Sequence, residues 1–266
     1  MHIIVCVKHA PDTEAKMSVD AAGAISWGES PLILNPWDEY AVEEALQLRD
    51  AHGGRVSVLS VGPAAAVEAL RHAVAMGADE AVRIWDEGCD GADALSTSYV
   101  LARAIEKVGD IDLVLFGKSA VDTQTWQVGV SVARRLKMPA LMYVIKIVGL
   151  DPVARSIRVE RLLEEGRQVV EAPLPVVVGT TKGINEPRYT SFMGIRKAAR
   201  MEVPCWGLAD IGAEPGKFGA AGAGVRWLEV SAPPAREGAA QMIQADTPGQ
   251  AARILVAHRE GLRPPR

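Results

Sequence analysis

The segment IDLVLFGKSAVDTQTWQVG, residues 111–129, is the stretch that best indicates how this chain folds. Its first six residues, which are apolar apart from Asp112, have the length and composition of a buried strand. Small and hydroxyl-bearing residues follow as a loop, and Gly129 falls inside the helix predicted next. The segment therefore predicts a strand that leads through a loop into a helix.

The chain around this segment repeats the alternation of strand and helix. Between the strand-like runs, apolar residues recur three and four positions apart, which is typical of crossover helices. We therefore predict an α/β fold with a doubly wound, mostly parallel sheet and helices on both faces. The predicted strands are residues 2–7, 55–61, 81–85 and 111–116, and the predicted helices are residues 37–51, 64–76 and 92–108.

The ends of these helices carry residue types that suit them. Asn35 is placed to cap the first helix, with Pro36 at its first position. Gly53, Gly77 and Gly109 each follow a helix, where a left-handed backbone favours glycine.

The second half of the chain has a different organisation. After Pro139, strand-like runs follow one another with only turns between them, which predicts an antiparallel or mixed extension of the sheet. From about Met201 glycine and proline become frequent, and only residues 247–258 regain a helical pattern. We predict an α/β domain at 1–200 and an extended C-terminal arm at 201–266. The strand-like runs of the extension are residues 141–148, 155–161, 168–171 and 176–180.

Composition narrows the class of protein. The 266 residues are 48% hydrophobic and 23% charged, as in globular domains, and the formal net charge is −4. Scattered basic residues argue against a nucleic-acid-binding surface. No apolar run approaches the roughly 18 residues of a transmembrane helix, and no export signal is evident, so we expect a cytoplasmic protein without direct membrane insertion. Three cysteines and five histidines without ligand spacing predict neither disulfides nor a metal site.

Ligands of an open parallel sheet bind beyond the carboxyl ends of its strands, where loop amides and helix amino ends are exposed. The loop at 117–129 is the best phosphate site, because its small residues leave amides accessible and Lys118 adds a positive charge. It matches neither the P-loop motif nor the GxGxxG motif of nicotinamide-binding proteins. A plain surface connection is the alternative interpretation. Loops at 8–12, 35–38 and 62–63 lie at the same predicted edge, although a well-formed helix start would by itself explain 35–38.

No catalytic constellation is evident. The sequence has no GxSxG motif, and its histidines occur in unrelated settings. Two acidic pairs, Glu43 with Glu44 and Glu164 with Glu165, are interpreted as solvated charges on a helix face and in a turn. A nucleotide site without a nucleophile or base favours binding or redox partnership over bond-making chemistry.

Three segments of the second half closely resemble the signature of electron-transfer flavoprotein beta subunits. They are VER at 159–161, LPVVV at 174–178 and NEPRY at 185–189. The resemblance covers nearly the first 200 residues in order. Shorter matches are VCVK at 5–8, NP at 35–36, AVEEA at 41–45, GP at 62–63, AMGAD at 75–79 and GK at 117–118.

The resemblance implies a fold like that of the adenine-nucleotide alpha-hydrolases. In that family the beta subunit keeps an adenine nucleotide, usually AMP, while the redox FAD is bound mainly by the alpha subunit. By position, residues 35–38 would hold base and ribose, and residues 122–132 would surround the phosphate mainly through main-chain groups. Trp126 is bulky where a small or amide side chain is common, but an indole can stack on adenine. The implied nucleotide contacts are Cys6, Asn35, Pro36, Trp37, Asp38, Val61, Gly117, Asp122, Thr123, Gln124, Thr125, Trp126, Gln127, Val128, Gly129, Val130, Ser131 and Val132.

The partner-recognition loop of the family corresponds to residues 189–200, which we call the docking segment. Phe192 stands where an exposed leucine anchors the loop in a dehydrogenase, and basic residues would steer acidic partners. An ordinary amphipathic helix packed on its own sheet is the alternative. Glu160 and Arg161 would contact the alpha subunit or its flavin domain, or form only a strand-face ion pair. The implied docking residues are Phe192, Met193, Arg196, Lys197 and Arg200.

The resemblance implies a heterodimeric carrier that takes electrons from an acyl-CoA or other dehydrogenase and passes them to a quinone reductase or other acceptor. The arm at 201–266 would pack on the alpha subunit. Residues 7–13, and residues 91–93 with 97–98, also resemble electron-bifurcating members, which use NADH and carry a second FAD in place of AMP. The sequence DTQT at 122–125 departs from the phosphate loop of those members, so we predict AMP. A stand-alone adenine-nucleotide-binding or hydrolysing domain is the remaining alternative.

Overall fold

The computed structural model describes residues 1–234 and 242–261. Over these residues the chain forms a nine-stranded sheet, two short two-stranded ribbons and six α-helices. The strands are β1 (His2–Cys6), β2 (His9–Pro11), β3 (Ser18–Val19), β4 (Ile25–Ser26), β5 (Leu32–Leu34), β6 (Arg55–Val61), β7 (Glu80–Ile84), β8 (Leu113–Gly117), β9 (Ala140–Asp151), β10 (Ser156–Leu163), β11 (Gly166–Pro173), β12 (Val176–Thr180) and β13 (Cys205–Trp206). The helices are α1 (Pro36–His52), α2 (Val67–Met76), α3 (Ala94–Val108), α4 (Val128–Leu136), α5 (Phe192–Arg200) and α6 (Pro248–Gly261).

The central strands of the sheet are buried on both faces, which explains their unbroken apolar runs. Along β1, Ile3 and Val5 pack in one core cluster with residues of α1 and α2. Ile4 and Cys6 face the opposite side and pack in a second cluster with residues of α3 and α4. The predicted α/β fold with helices on both faces is confirmed.

The strand order is β11-β10-β9-β12-β8-β1-β6-β7-β13. From β9 through β12, β8, β1, β6 and β7 to β13, neighbouring strands run parallel. β10 pairs antiparallel with both β9 and β11, which confirms the predicted antiparallel extension. The chain winds one way from β1 through β6 to β7 and then returns to place β8 on the other side of β1. The switch point of the sheet therefore lies between β1 and β8.

The chain divides into two compact units, Met1–Val230 and Ser231–Arg266. Residues 201–230 thus belong to the first unit, where β13 extends the sheet beside β7 and Leu208 and Ile211 are buried in the second core cluster. The second unit contains α6, which lies where the sequence predicts a helical pattern at residues 247–258. Part of the predicted C-terminal arm, residues 235–241 and 262–266, lies outside the described residues.

Candidate functional site

The carboxyl ends of β1 and β8 lie side by side, with Cys6 opposite Phe116 in the parallel register. Three segments meet there: the chain leaving β1 at Lys8, the start of α1 at residues 35–38, and the loop at 117–127 that follows β8. The switch point of a doubly wound sheet is the usual place for a ligand, because the loops diverge there and leave a crevice. These are segments that the sequence pointed to.

Asp38 ties the three segments together. Its side chain is buried, and its two carboxylate oxygens accept hydrogen bonds from the Lys8 amide at 2.8 Å and the Gly117 amide at 3.2 Å. Burial raises the pKa of the Asp38 carboxyl to about 7, although the two amides act in the opposite direction. Since both oxygens already have partners within the protein, Asp38 holds together the segments that surround the crevice.

Gly117 is required by the close approach of β8 to α1. A Cβ atom at this position would lie 2.5 Å from the carbonyl carbon of Trp37 and 2.6 Å from its oxygen. No side chain is tolerated at such distances, so the glycine lets the loop leave the strand directly over the start of the helix.

Asn35 occupies the N-cap position of α1, as predicted, but its side chain forms no cap hydrogen bond. Its Nδ2 donates to the Ser119 carbonyl at 2.9 Å, and its Oδ1 accepts from the Val121 amide at 3.2 Å. The side chain is buried and points across to the loop, which offers it both a donor and an acceptor. Pro36 occupies the first turn of the helix as predicted. The Asn35 side chain therefore fixes the loop after β8 and does not bond to the backbone of the first turn of α1.

The loop at 117–127 has an exposed stretch, and aromatic contacts of Lys118 and Trp126 attach the loop to its surroundings. The five residues 123–127 are exposed, and Gln124 and Trp126 have φ angles of +44° and +62°, which are uncommon for residues other than glycine. Lys118 Nζ lies 3.8 Å from the centre of the Trp37 ring and 4.9 Å from that of Trp126. The Trp126 ring also packs on Tyr143 of β9, with 5.5 Å between ring centres. Trp126 thus fastens the loop to the neighbouring part of the sheet.

An ion pair crosses the crevice between the chain after β1 and the loop. Lys8 Nζ lies 2.6 Å from Asp122 Oδ2. The other oxygen, Asp122 Oδ1, is buried without a hydrogen-bond partner among the described residues. The sequence predicts both residues in loops at this edge but not their pairing, because a lysine after a strand carries no signal of a partner 114 residues away.

Several of the implied nucleotide contacts have side chains inside the protein. Cys6 and Val132 are buried in the second core cluster, and burial, followed by the charge of Asp38, raises the pKa of the Cys6 thiol. Gly129 lies against Phe116, to which a Cβ would come within 3.3 Å. Val61 ends β6 and packs partly buried on the same cluster, whereas Val130 is exposed. Cys6 and Val132 can therefore reach a ligand only through their main chains.

Comparisons with known proteins show the family to which this chain belongs. The Electron transfer flavoprotein domain family matches residues 28–211, which is more than half of the chain. The protein FixA of Azorhizobium caulinodans is 41% identical over 248 residues, covering 91% of this chain and 88% of the relative.

The chain belongs to the electron-transfer flavoprotein beta-subunit family.

Two further relatives carry names that bear on the role of the family. The electron transfer flavoprotein subunit beta of Megasphaera elsdenii is 37% identical over 248 residues, covering 90% of each chain. The caffeyl-CoA reductase-Etf complex subunit CarD of Acetobacterium woodii is 40% identical over 259 residues, covering 97% of each chain. Family membership places this chain among proteins of electron transport that associate with a flavin and an alpha subunit. Among the described residues, no helix is long and apolar enough to cross a bilayer.

The family signature NEPRY contacts the acidic pair of α1. Glu43 and Glu44 are buried, so their interpretation as solvated charges is wrong. Arg188 forms two hydrogen bonds with the Glu43 carboxylate through its guanidinium, and Asn185 Nδ2 donates to Glu44 Oε2 at 2.9 Å. Burial raises the pKa of Glu44, and the Asn185 bond opposes that change. Glu164 and Glu165 are exposed in the turn between β10 and β11, as the sequence indicated.

The docking segment begins with exposed apolar side chains and continues as α5. Phe192 is 76% exposed and Met193 is 70% exposed. Arg196 and Arg200 are also exposed, whereas Lys197 donates to the Ala78 carbonyl at 3.0 Å. On the antiparallel extension, Glu160 pairs with Arg167 at 3.0 Å, and the arginine is well exposed, so this ion pair adds little stability.

Proposed function

We propose that this chain is the beta subunit of a heterodimeric electron-transfer flavoprotein whose redox FAD is held mainly by an alpha subunit. Electrons would enter from a dehydrogenase and leave to a quinone reductase or another acceptor. The supporting observation is the junction at the switch point, where Asn35 and Asp38 hold the loop after β8, in a chain of the beta-subunit family. The beta subunit itself supplies a nucleotide site, a docking surface and part of the heterodimer.

The crevice between β1 and β8 would hold an adenylate group. Its residues fit such a group, since the exposed part of the loop carries the hydroxyl groups of Thr123 and Thr125, and Ser119 and Ala120 earlier in the loop are small. Residues 35–38 and Val61 would lie along the base and ribose, and residues 122–132 would surround the phosphate. Trp126, which is 40% exposed, offers an aromatic face for stacking.

We favour AMP as the source of this adenylate. A second FAD carries the same adenylate and is the alternative, in which case the heterodimer would be an electron-bifurcating member that uses NADH. The two are distinguished by counting flavins. A heterodimer with one FAD and one AMP supports the carrier, and two FAD per heterodimer support the bifurcating alternative.

The docking segment would bind an acyl-CoA or related dehydrogenase. Its exposed Phe192 and Met193 provide an apolar anchor, and Arg196 and Arg200 add positive charge at its rim. The name of the Acetobacterium relative associates that protein with a reductase of a CoA ester, which favours this class of partner. The part of the predicted C-terminal arm that follows Val230 would pack on the alpha subunit.

Purification of the chain co-expressed with an alpha subunit tests the proposal. We expect a stable heterodimer from which FAD and AMP can be extracted and identified by mass. A flavin-free monomer that ignores every alpha subunit would contradict the heterodimer. Turnover of ATP by the isolated chain would instead favour a stand-alone nucleotide-hydrolysing domain.

A further inference from the structure

A buried polar contact outside the crevice joins α1 to the chain just before the docking segment. Glu43 Oε2 accepts from Arg188 Nε at 2.8 Å and from the Arg188 amide at 3.1 Å. Glu43 Oε1 accepts from Arg188 Nη2 at 3.1 Å and from Gln47 Nε2 at 2.8 Å. The Glu43 side chain is only 4% exposed, so its charge depends on these donors.

Asn185 extends this contact by one turn of α1. Its Nδ2 donates to the Tyr40 carbonyl at 3.0 Å and to Glu44 Oε2 at 2.9 Å. Pro187 lies between Asn185 and Arg188 and limits the backbone between them. We call the contacts of Asn185 and Arg188 with Glu43 and Glu44 the clamp.

The other end of the docking segment is fixed on α2. Gly194 lies so close to the Ala75 carbonyl oxygen that a Cβ would collide with it, and Ala198 is buried in the core. Lys197 Nζ donates to the Ala78 carbonyl at 3.0 Å. Between these two anchors the apolar side chains of Tyr189, Phe192 and Met193 remain 98%, 76% and 70% exposed.

We propose that Asn185 and Arg188 are positioning residues, which hold residues 189–193 ready for the partner dehydrogenase. This inference rests on the proposed function. The clamp holds residues 189–193 in one arrangement before the partner arrives, so association does not have to order them. Binding costs about 0.5–1.5 kcal/mol for each side chain that it immobilises, and prior fixation removes part of that cost. The partner contacts the exposed apolar side chains, and the clamp acts through them.

The test compares Arg188→Met with the double variant Glu43→Met plus Arg188→Met in the co-expressed heterodimer. The single variant leaves a buried carboxylate without its partner and can fail to fold, whereas the double variant removes both charges together. The matched control is Arg55→Met, since Arg55 pairs with Glu80 at 3.6 Å and both side chains are half exposed. The assay uses a purified acyl-CoA dehydrogenase that reduces the wild-type heterodimer.

We expect the clamp variants to raise the KM for the heterodimer about tenfold, equivalent to about 1.4 kcal/mol, with kcat unchanged. Flavin content and flavin absorbance should equal those of the wild type, and amide hydrogen exchange at 185–193 should accelerate. Arg55→Met should change none of these quantities. A KM within about twofold of wild type in the double variant would overturn the inference while leaving the proposed function intact.

A parallel loss of flavin or of kcat would also overturn the inference, because the clamp would then maintain the fold and not the docking geometry. If no acyl-CoA dehydrogenase reduced the wild-type heterodimer, the proposed docking function would fail first and the inference with it.

Discussion

The Asp38 carboxylate accepts a hydrogen bond from the amide of Gly117, 79 residues further along the chain. This bond connects the first turn of α1 to the end of β8. The other carboxylate oxygen of Asp38 accepts a hydrogen bond from the Lys8 amide and so connects both elements to the chain after β1. A buried carboxyl group therefore holds the walls of the crevice together. Because burial disfavours its charged form, the protonation state of Asp38 should influence the stability of the folded protein.

Asp38→Asn should lower the free energy of unfolding by about 1–3 kcal/mol, because the new Nδ2 group would face a backbone N–H that needs an acceptor. Urea denaturation measures the change. Glu165→Gln, in an exposed turn, is the matched control and should have no effect. Equal stability of Asp38→Asn and wild type would contradict the role of Asp38.

The same group predicts a pH dependence. The pKa of Asp38 is raised to about 7 in the folded protein, whereas an aspartate in the unfolded chain has a pKa of about 3.9. Between these values unfolding releases a proton, so the contribution of Asp38 to stability is largest at low pH and is lost as the pH rises toward 7. Denaturation curves from pH 4 to 8 should show this fall in the wild type and not in Asp38→Asn. Parallel curves would contradict it.

Asn35→Ala should release the loop at 117–127, because the Ser119 carbonyl and the Val121 amide would both lose their partner. We expect about 1–3 kcal/mol of lost stability and a reduced amount of bound adenine nucleotide after purification. Mass spectrometry of the extracted nucleotide measures the second effect. Gln168→Ala, which removes an exposed amide on β11, is the control and should keep the full amount. Full retention by Asn35→Ala would count against the site.

Gly117→Ala should destabilise the protein by about 1–3 kcal/mol, since its Cβ would overlap the Trp37 main chain. Gly149→Ala on β9 is a close control, because nothing lies within 4 Å of a Cβ at that position. Thermal unfolding of the two variants should separate them clearly. Similar melting temperatures would mean that β8 and α1 are not in close contact.

Phe192→Ala should weaken docking without changing the flavin. A buried aromatic anchor contributes about 2 kcal/mol or more to an interface, which corresponds to about a thirtyfold rise in the KM for the dehydrogenase. The control is Val153→Ala, whose side chain is 94% exposed in the turn between β9 and β10. A change of the same size in both variants would remove Phe192 from the docking surface.

The sheet and helices could be predicted because their signals are local. β6 and β12 have the predicted bounds, since runs of β-branched residues end at glycine or threonine. The strands β2 to β5, between residues 9 and 34, were missed because runs of two or three residues have no measurable period. The two-residue strand β13 could not be predicted for the same reason.

The polar contacts of the site could be predicted only in part. Asn35 suits a helix cap by residue type, and only the position of residues 119–121 shows that its side chain is used elsewhere. Glu43 is an acid within a helix, and its partner Arg188 lies 145 residues away. Local patterns therefore predict which strand ends carry polar side chains, but long-range pairing decides what each of these side chains does.

Photolabelling of the purified heterodimer with a photoreactive azido analogue of AMP tests the central claim most directly. We predict that peptide mapping will locate the label in residues 35–38 or 117–132 of this chain, and that added AMP will prevent labelling. A label confined to other segments, or one that excess AMP does not reduce, would contradict an adenylate site between β1 and β8.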